Sequence, residues 1–147
     1  MTKRELGESY FLKGYNCAQS VALAFSSEMG LSEDLALKLS SGFGGGMGRL
    51  REVCGAVSGM VMVLSALEGY TSPTDNESKM ELYKKVQTLL GEFKNANGSI
   101  ICRELIGETK VAVSPIPEKR TEEYYKKRPC KLLVGDACEI LENYLNR

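Results

Sequence analysis

The residues in this chain best suited to chemistry are its five cysteines, Cys17, Cys54, Cys102, Cys130 and Cys138. Four of them fall where a helix is predicted to begin. Asn16 is a capping residue in front of Cys17, Ser99 precedes Cys102, and Pro129 precedes Cys130 in the early position that proline favours. Cys54 opens Cys54-Gly55-Ala56-Val57-Ser58-Gly59, which leads into an apolar run from Met60 to Leu67. A helix start offers unpaired N–H groups and about half a positive charge, which together favour a thiolate over a thiol. A thiolate is both a nucleophile and a soft metal ligand.

Cys17, Cys54, Cys102 and Cys130 are therefore candidate catalytic thiols. They are equally candidate ligands for zinc, an iron–sulfur cluster or another thiolate-bound metal. The same four can instead form two thiol–disulfide pairs. Cys54 ranks first as the attacking thiolate, because its glycine-rich surroundings are the most unusual. Arg49, Arg51, Arg103 and Arg128 lie close to these cysteines in sequence and add positive potential. Cys138 sits beside Ala137 on an apolar helix face and reads as a core residue.

The spacing and the absences narrow the chemistry. There is no CxxC, so no thioredoxin-type pair and no zinc ribbon is written locally. Cys130 and Cys138 lie about 12 Å apart along a helix and cannot pair within it. The chain contains no histidine, which removes the commonest general base and the imidazole ligands of zinc. Any shared site has to be assembled from distant segments.

The elements that position the cysteines read as helices. Helical spacing and caps predict them over Thr2 to Lys13, Cys17 to Met29, and from Ser32 to about Ser40, with Leu35, Ala36 and Leu39 inward. Others are predicted over Val53 to Glu68, Ser78 to Asn95, Ile100 to Ile106, and from Arg128-Pro129-Cys130 onward. Met80, Leu82, Tyr83, Val86, Leu89, Leu90 and Phe93 form the apolar side of the long helix. Leu132, Leu133, Val134, Ala137, Ile140, Leu141 and Tyr144 do so in the last. Lys110 to Arg120 is irregular around Pro115 and Pro117, with Val111, Ala112 and Val113 as a weak extended piece. The expectation is one all-α domain over 1–147, a compact bundle of about six or seven helices.

Gly42-Phe43-Gly44-Gly45-Gly46-Met47-Gly48 interrupts the helices. Neither GxxxxGK(S/T) nor GxGxxG fits it in register. Gly44, Gly45 and Gly46 remain candidates for a generic anion or cofactor nest, against tight packing around Cys54 as the plainer role.

The bulk composition is that of an ordinary globular domain. Of 147 residues, 43% are hydrophobic, enough for a core without disulfides. Lys+Arg and Asp+Glu balance at 19 each, so no basic field for nucleic acid or anionic membrane is present. The N-terminal residues lack the apolar region of a signal peptide, and the apolar stretch from Val53 to Leu67 is shorter than a span. A cytoplasmic location is expected. The apolar helix surface leaves a homodimer open.

These motifs resemble the C_GCAxxG_C_C family, small bacterial and archaeal proteins described as redox-active. The resemblance rests on Tyr15-Asn16-Cys17-Ala18-Gln19-Ser20-Val21, Gly42-Phe43-Gly44-Gly45-Gly46-Met47, Cys54-Gly55-Ala56-Val57-Ser58-Gly59, Cys102, and Cys130 with Leu133-Val134. It maps the four named cysteines to Cys17, Cys54, Cys102 and Cys130, and implies redox or metal function with a redox partner protein. It supplies no substrate. The alternative is a non-catalytic metal-binding or interaction domain with structural core cysteines.

Overall fold

The computed structural model describes residues 1–107 and 112–147. Helices α1 (Lys3–Leu12), α2 (Cys17–Ala24), α3 (Ser26–Met29) and α4 (Glu33–Ser40) come first. A 3₁₀ turn (Ser41–Phe43) and the glycine-rich segment lead to α5 (Gly55–Glu68) and the long α6 (Asn76–Asn97). Then follow α7 (Cys102–Ile106), α8 (Glu122–Lys127) and α9 (Cys130–Leu145). The fold is all-α. Nine helices among the described residues exceed the expected six or seven because α3 is split from the predicted second helix and α8 was not predicted. Part of the weak extended piece, Val111, lies outside the described residues, as does Lys110.

Local hydrogen bonds set the boundaries. Thr2 and Asn16 each complete a reciprocal capping box, with Glu5 and Gln19 respectively. Phe25 leaves helical geometry at φ −115° and ψ 15°, so the single helix expected from Cys17 to Met29 divides into α2 and α3. Asp75 caps α6, which begins at Asn76, two residues before the predicted Ser78. Gly98 ends it in the left-handed region, which glycine enters without steric penalty. Thr121 caps α8, a helix that the polar periodicity of the segment concealed.

Helix α2 packs against α1, α4, α5 and α9, and α9 also contacts α1, α5 and α6. The core between them holds Phe11, Val21, Phe25, Val57, Met60, Leu64, Leu89, Phe93, Val134 and Leu141. Close approach of α2 and α5 depends on two glycines. A Cβ at Gly59 would stand 2.9 Å from the Ala18 carbonyl oxygen, and one at Gly55 would stand 3.2 Å from the Cys17 Cβ. The start of α5 is thereby held beside the start of α2.

Several positions expected inward face out. Leu35 and Leu39 are 43% and 50% exposed, because α4 turns only Ala36 and Ser40 toward α2. Met80, Tyr83 and Leu132 are likewise exposed. Each sits at the margin of a one-sided helix, where periodicity alone fixes the apolar arc too broadly.

Candidate functional site: a cavity lined by four thiols

Helices α5 and α7 begin later than predicted, and the reason also positions two thiols. Val53 pairs with Ile101 in an isolated antiparallel bridge. The Cys54 amide donates to the Ile100 carbonyl at 2.8 Å, and the Cys102 amide donates to the Glu52 carbonyl at 2.6 Å. Cys54 and Cys102 are thus zipped together just where their chains turn into helices. Ser99 does not cap α7 directly. Its hydroxyl accepts from the Ile101 amide at 2.9 Å and meets Glu104, fixing the entry to the helix.

Cys17 and Cys130 are the first residues of α2 and α9, which pack together. The two thiols are close enough for each to shift the ionisation of the other. Cys17, Cys54, Cys102 and Cys130 all line one cavity of about 60 Å³. Cys17 and Cys130 are 8% exposed, Cys102 7% and Cys54 3%, whereas Cys138 is fully buried elsewhere, beside Gly7. The convergence of four cysteines and the separate place of Cys138 follow the sequence pattern.

The four thiols are not electrostatically alike. The hydrogen bond from Cys17, together with Arg128, Arg120 and Arg51, outweighs burial and pushes Cys130 down to about 7. Cys17 moves well up, first because its proton is held by Cys130 and then because it is buried. Burial pushes Cys54 up to about 12, although the amides of Val57 and Ala56 at the start of α5 pull the other way. Burial also raises Cys102, against the opposing influence of Arg51, whose Nη1 lies 3.9 Å from its sulfur. A helix start alone therefore does not make a thiolate here. Cys54, ranked first from its surroundings, is among the raised thiols, and Cys130 is the lowered one.

The glycine-rich turn builds the cavity wall. A Cβ at Gly46 would meet Cys102 Cβ and the Glu52 nitrogen, each at 2.7 Å, and Gly46 has φ +74°. A Cβ at Gly44 would collide with the Asn16 side chain that caps α2. The amides of Gly48, Arg49, Arg51 and Glu52 donate to the carbonyls of Gly42, Gly44, Gly45 and Gly46. These bonds close the turn on itself and hold Gly44 and Gly46 against Asn16 and Cys102.

Arg49 and Arg51 extend from this turn with left-handed backbone, φ +66° and +63°. Arg51 is buried and donates to the Ala112 carbonyl at 3.1 Å. Arg49, Arg51 and Arg128 converge on one carboxylate, Glu118, at 3.1, 3.2 and 2.8 Å. Arg120 donates to the carbonyls of Phe11 and Tyr15, each at 2.9 Å, and its guanidinium stacks 4.1 Å from the Phe11 ring centroid. The strap carrying Glu118 and Arg120 is thus fastened over the thiols. Sequence reasoning missed both residues, and also Tyr124, which lines the cavity. The available signal was a charged pair beside Pro117 in a segment otherwise without periodicity. Arg103 instead lies at the surface, paired with Glu52.

Four thiols have the donor chemistry for zinc or an iron–sulfur cluster. Among the described residues, however, no group of three or more cysteine, aspartate, glutamate or histidine side chains is disposed to hold a metal ion. Nor is any helix among the described residues long and apolar enough to cross a membrane.

No curated protein and no solved structure matches the chain. The sequence pattern of one family does, over residues 15–144, and its description reads "Putative redox-active protein (C_GCAxxG_C_C)". That range contains the capped start of α2, the glycine-rich wall and all four thiols of the cavity, and the chain belongs to the C_GCAxxG_C_C family.

Proposed function

We propose that the protein carries out thiol–disulfide exchange, with Cys130 as the attacking thiolate and Cys17 as the resolving thiol. What supports this is the placement of Cys17 and Cys130 at the starts of two packed helices on one cavity, with Cys130 alone of the four pushed down, to about 7. An attacking thiol works best with its pKa near ambient pH.

The Cys130 thiolate attacks one sulfur of a substrate disulfide, R–S–S–R. A mixed disulfide forms on Cys130 and one R–S⁻ leaves. The Cys17 thiol gives its proton to the departing thiolate or to water and attacks the Cys130 sulfur. The Cys17–Cys130 disulfide forms and the second R–S⁻ leaves. The two protein sulfurs are oxidised to a disulfide, one substrate disulfide is reduced to two thiolates, and these take up the Cys17 proton and one proton from solvent. Turnover then needs a reductant, a role that falls to a redox partner protein. Cys102, held by Arg51, and Cys54 complete the pocket as buried thiols.

The test is brief exposure to a small disulfide, alkylation of remaining thiols, and mass spectrometry of the digest. A Cys17–Cys130 link is expected, with Cys54, Cys102 and Cys138 alkylated after unfolding. Cys17→Ala should halt the reaction at the mixed disulfide on Cys130. Linkage of another pair, or five thiols that stay free, would overturn the assignment. So would stoichiometric metal in anaerobically purified protein.

A further inference from the structure

Outside the thiol cavity lies a second, larger cavity of about 490 Å³. The two share Asn16, Gly45, Arg51, Arg120, Tyr124 and Arg128 in their walls, so the outer cavity adjoins the inner. Its described charged lining consists of Arg49, Arg51, Arg120 and Arg128 against Glu118. Three of the arginines share that one carboxylate. Beyond Glu118, the hydrogen bonds of Arg49, Arg51 and Arg120 go mainly to neutral carbonyls. Arg49 donates to Ser114 and Ile116, Arg51 to Ala112, and Arg120 to Phe11 and Tyr15. Carbonyls satisfy N–H donors but supply no countercharge. The side chains of Arg51, Arg128 and Arg49 are only 6%, 7% and 14% exposed, so water screens them weakly. A concave, positively charged approach of this kind concentrates anions at its end.

Size narrows the occupant further. The inner cavity of about 60 Å³ admits the reacting sulfur and little else, while the outer one has the volume of a small-molecule site. A disulfide embedded in a folded polypeptide does not reach thiols buried this deeply.

We propose that the substrate is a small organic disulfide bearing carboxylate or phosphate groups, held by Arg49, Arg51, Arg120 and Arg128 while its sulfur enters the thiol cavity. The inference rests on the thiol–disulfide reading above. The bond changes are those given there, with R carrying the anionic groups. The arginines position the substrate and do not take part in the exchange.

The test compares three disulfides that differ in charge: dithiodipropionate, which is anionic, neutral hydroxyethyl disulfide, and cationic cystamine. The rate of Cys17–Cys130 formation with each is divided by its rate with mercaptoethanol, which removes intrinsic reactivity. At low salt the anionic disulfide should react at least ~10-fold faster than the neutral one, with cystamine slowest. High salt should collapse the order. Inorganic phosphate should slow the anionic disulfide and leave the neutral one unchanged. Arg49→Gln should reduce the charge preference several-fold, and Glu118→Gln should increase it. Equal normalised rates in the unsubstituted protein, with the Cys17–Cys130 bond still forming, would overturn the anionic substrate and leave the exchange reading standing. Failure of all three to form that bond would overturn both. The unsubstituted protein decides the matter even where a variant fails to fold.

Discussion

Cys130 and Cys138 lie on the same helix, two turns apart, and end in opposite chemical states. Both have cations nearby. Arg128, Arg120 and Arg51 act on Cys130, and Lys3 and Arg4 act on Cys138. Cys138 packs against Gly7 and Val134 in the seam between α1 and α9, and burial pushes it up to about 12. Cys130 is also buried, yet the Cys17 hydrogen bond and the arginines carry it down to about 7. Cys54 supplies the missing control. It has helix-start amides but no thiol donor of this kind, and burial wins there too. In this molecule positive charge at a distance is insufficient, and so is a helix start. The one lowered thiol is Cys130, where Cys17 and three arginines act together; Cys102, which also faces the cavity and receives Arg51, stays raised.

The comparison breaks most sharply at Cys130. Cys130→Ser should slow alkylation of the folded protein at neutral pH by at least ~15-fold, the ratio of thiolate fractions for a group near 7 and one at its ordinary value. Peptide-resolved iodoacetamide kinetics measure this. The rate in the parent protein should rise with a midpoint at about 7. A midpoint near 9 would place Cys130 with the inert thiols.

The seam at Cys138 responds in stability instead. A Cβ at residue 7 would stand 2.5 Å from the Cys138 sulfur. Gly7→Ala should therefore cost about 1–3 kcal/mol by denaturant titration, through overpacking. Its alkylation kinetics at Cys130 should be unchanged. Adding Cys138→Ala should restore part of the loss, and strict additivity of the two substitutions would show that the clash is elsewhere.

Alkali gives a smaller and graded effect. Cys54 and Cys138 stay protonated in the folded chain up to about 12, whereas in the unfolded chain they ionise near 9. The unfolded state then holds fewer protons, so folding stability falls as pH rises through this window. Each thiol contributes a slope of up to about 1.4 kcal/mol per pH unit. Cys130 has the opposite sign, since its folded value is depressed and its stabilisation grows from about 7 to 9. Removing Cys138 with Cys138→Ala should flatten the alkaline slope by its share. The smallest effect is that variant's own loss at neutral pH, about 1 kcal/mol from the small cavity it leaves.

Much of the fold was legible because its signals are local. Thr2, Asn16, Ser32 and Pro129 mark helix starts through contacts within one turn, and Gly98 and Gly107 mark ends. The candidate thiols were legible for the same reason. The exposed Leu35, Leu39 and Leu132 were misplaced because periodicity gives an apolar side but not which neighbour covers it. The helix at Glu122–Lys127 carries no buried residue, so no apolar stripe announced it. Glu118 and Arg120 acquire meaning only from partners far along the chain, Arg49, Arg51 and the end of α1.

By itself the sequence determined an all-helical chain, four cysteines at or beside helix starts, a fifth on an apolar face, and a glycine-rich turn before the buried helix. Caps, glycines and apolar spacing act over a few residues, so the chain states them directly. Only the tertiary structure decided that Cys17 meets Cys130, that Val53 and Ile101 zip Cys54 beside Cys102, and that four arginines surround the approach. Desolvation, thiol hydrogen bonding and the field of distant guanidiniums depend on which segments pack together. That is why four similar-looking helix starts yield one lowered thiol and three raised ones.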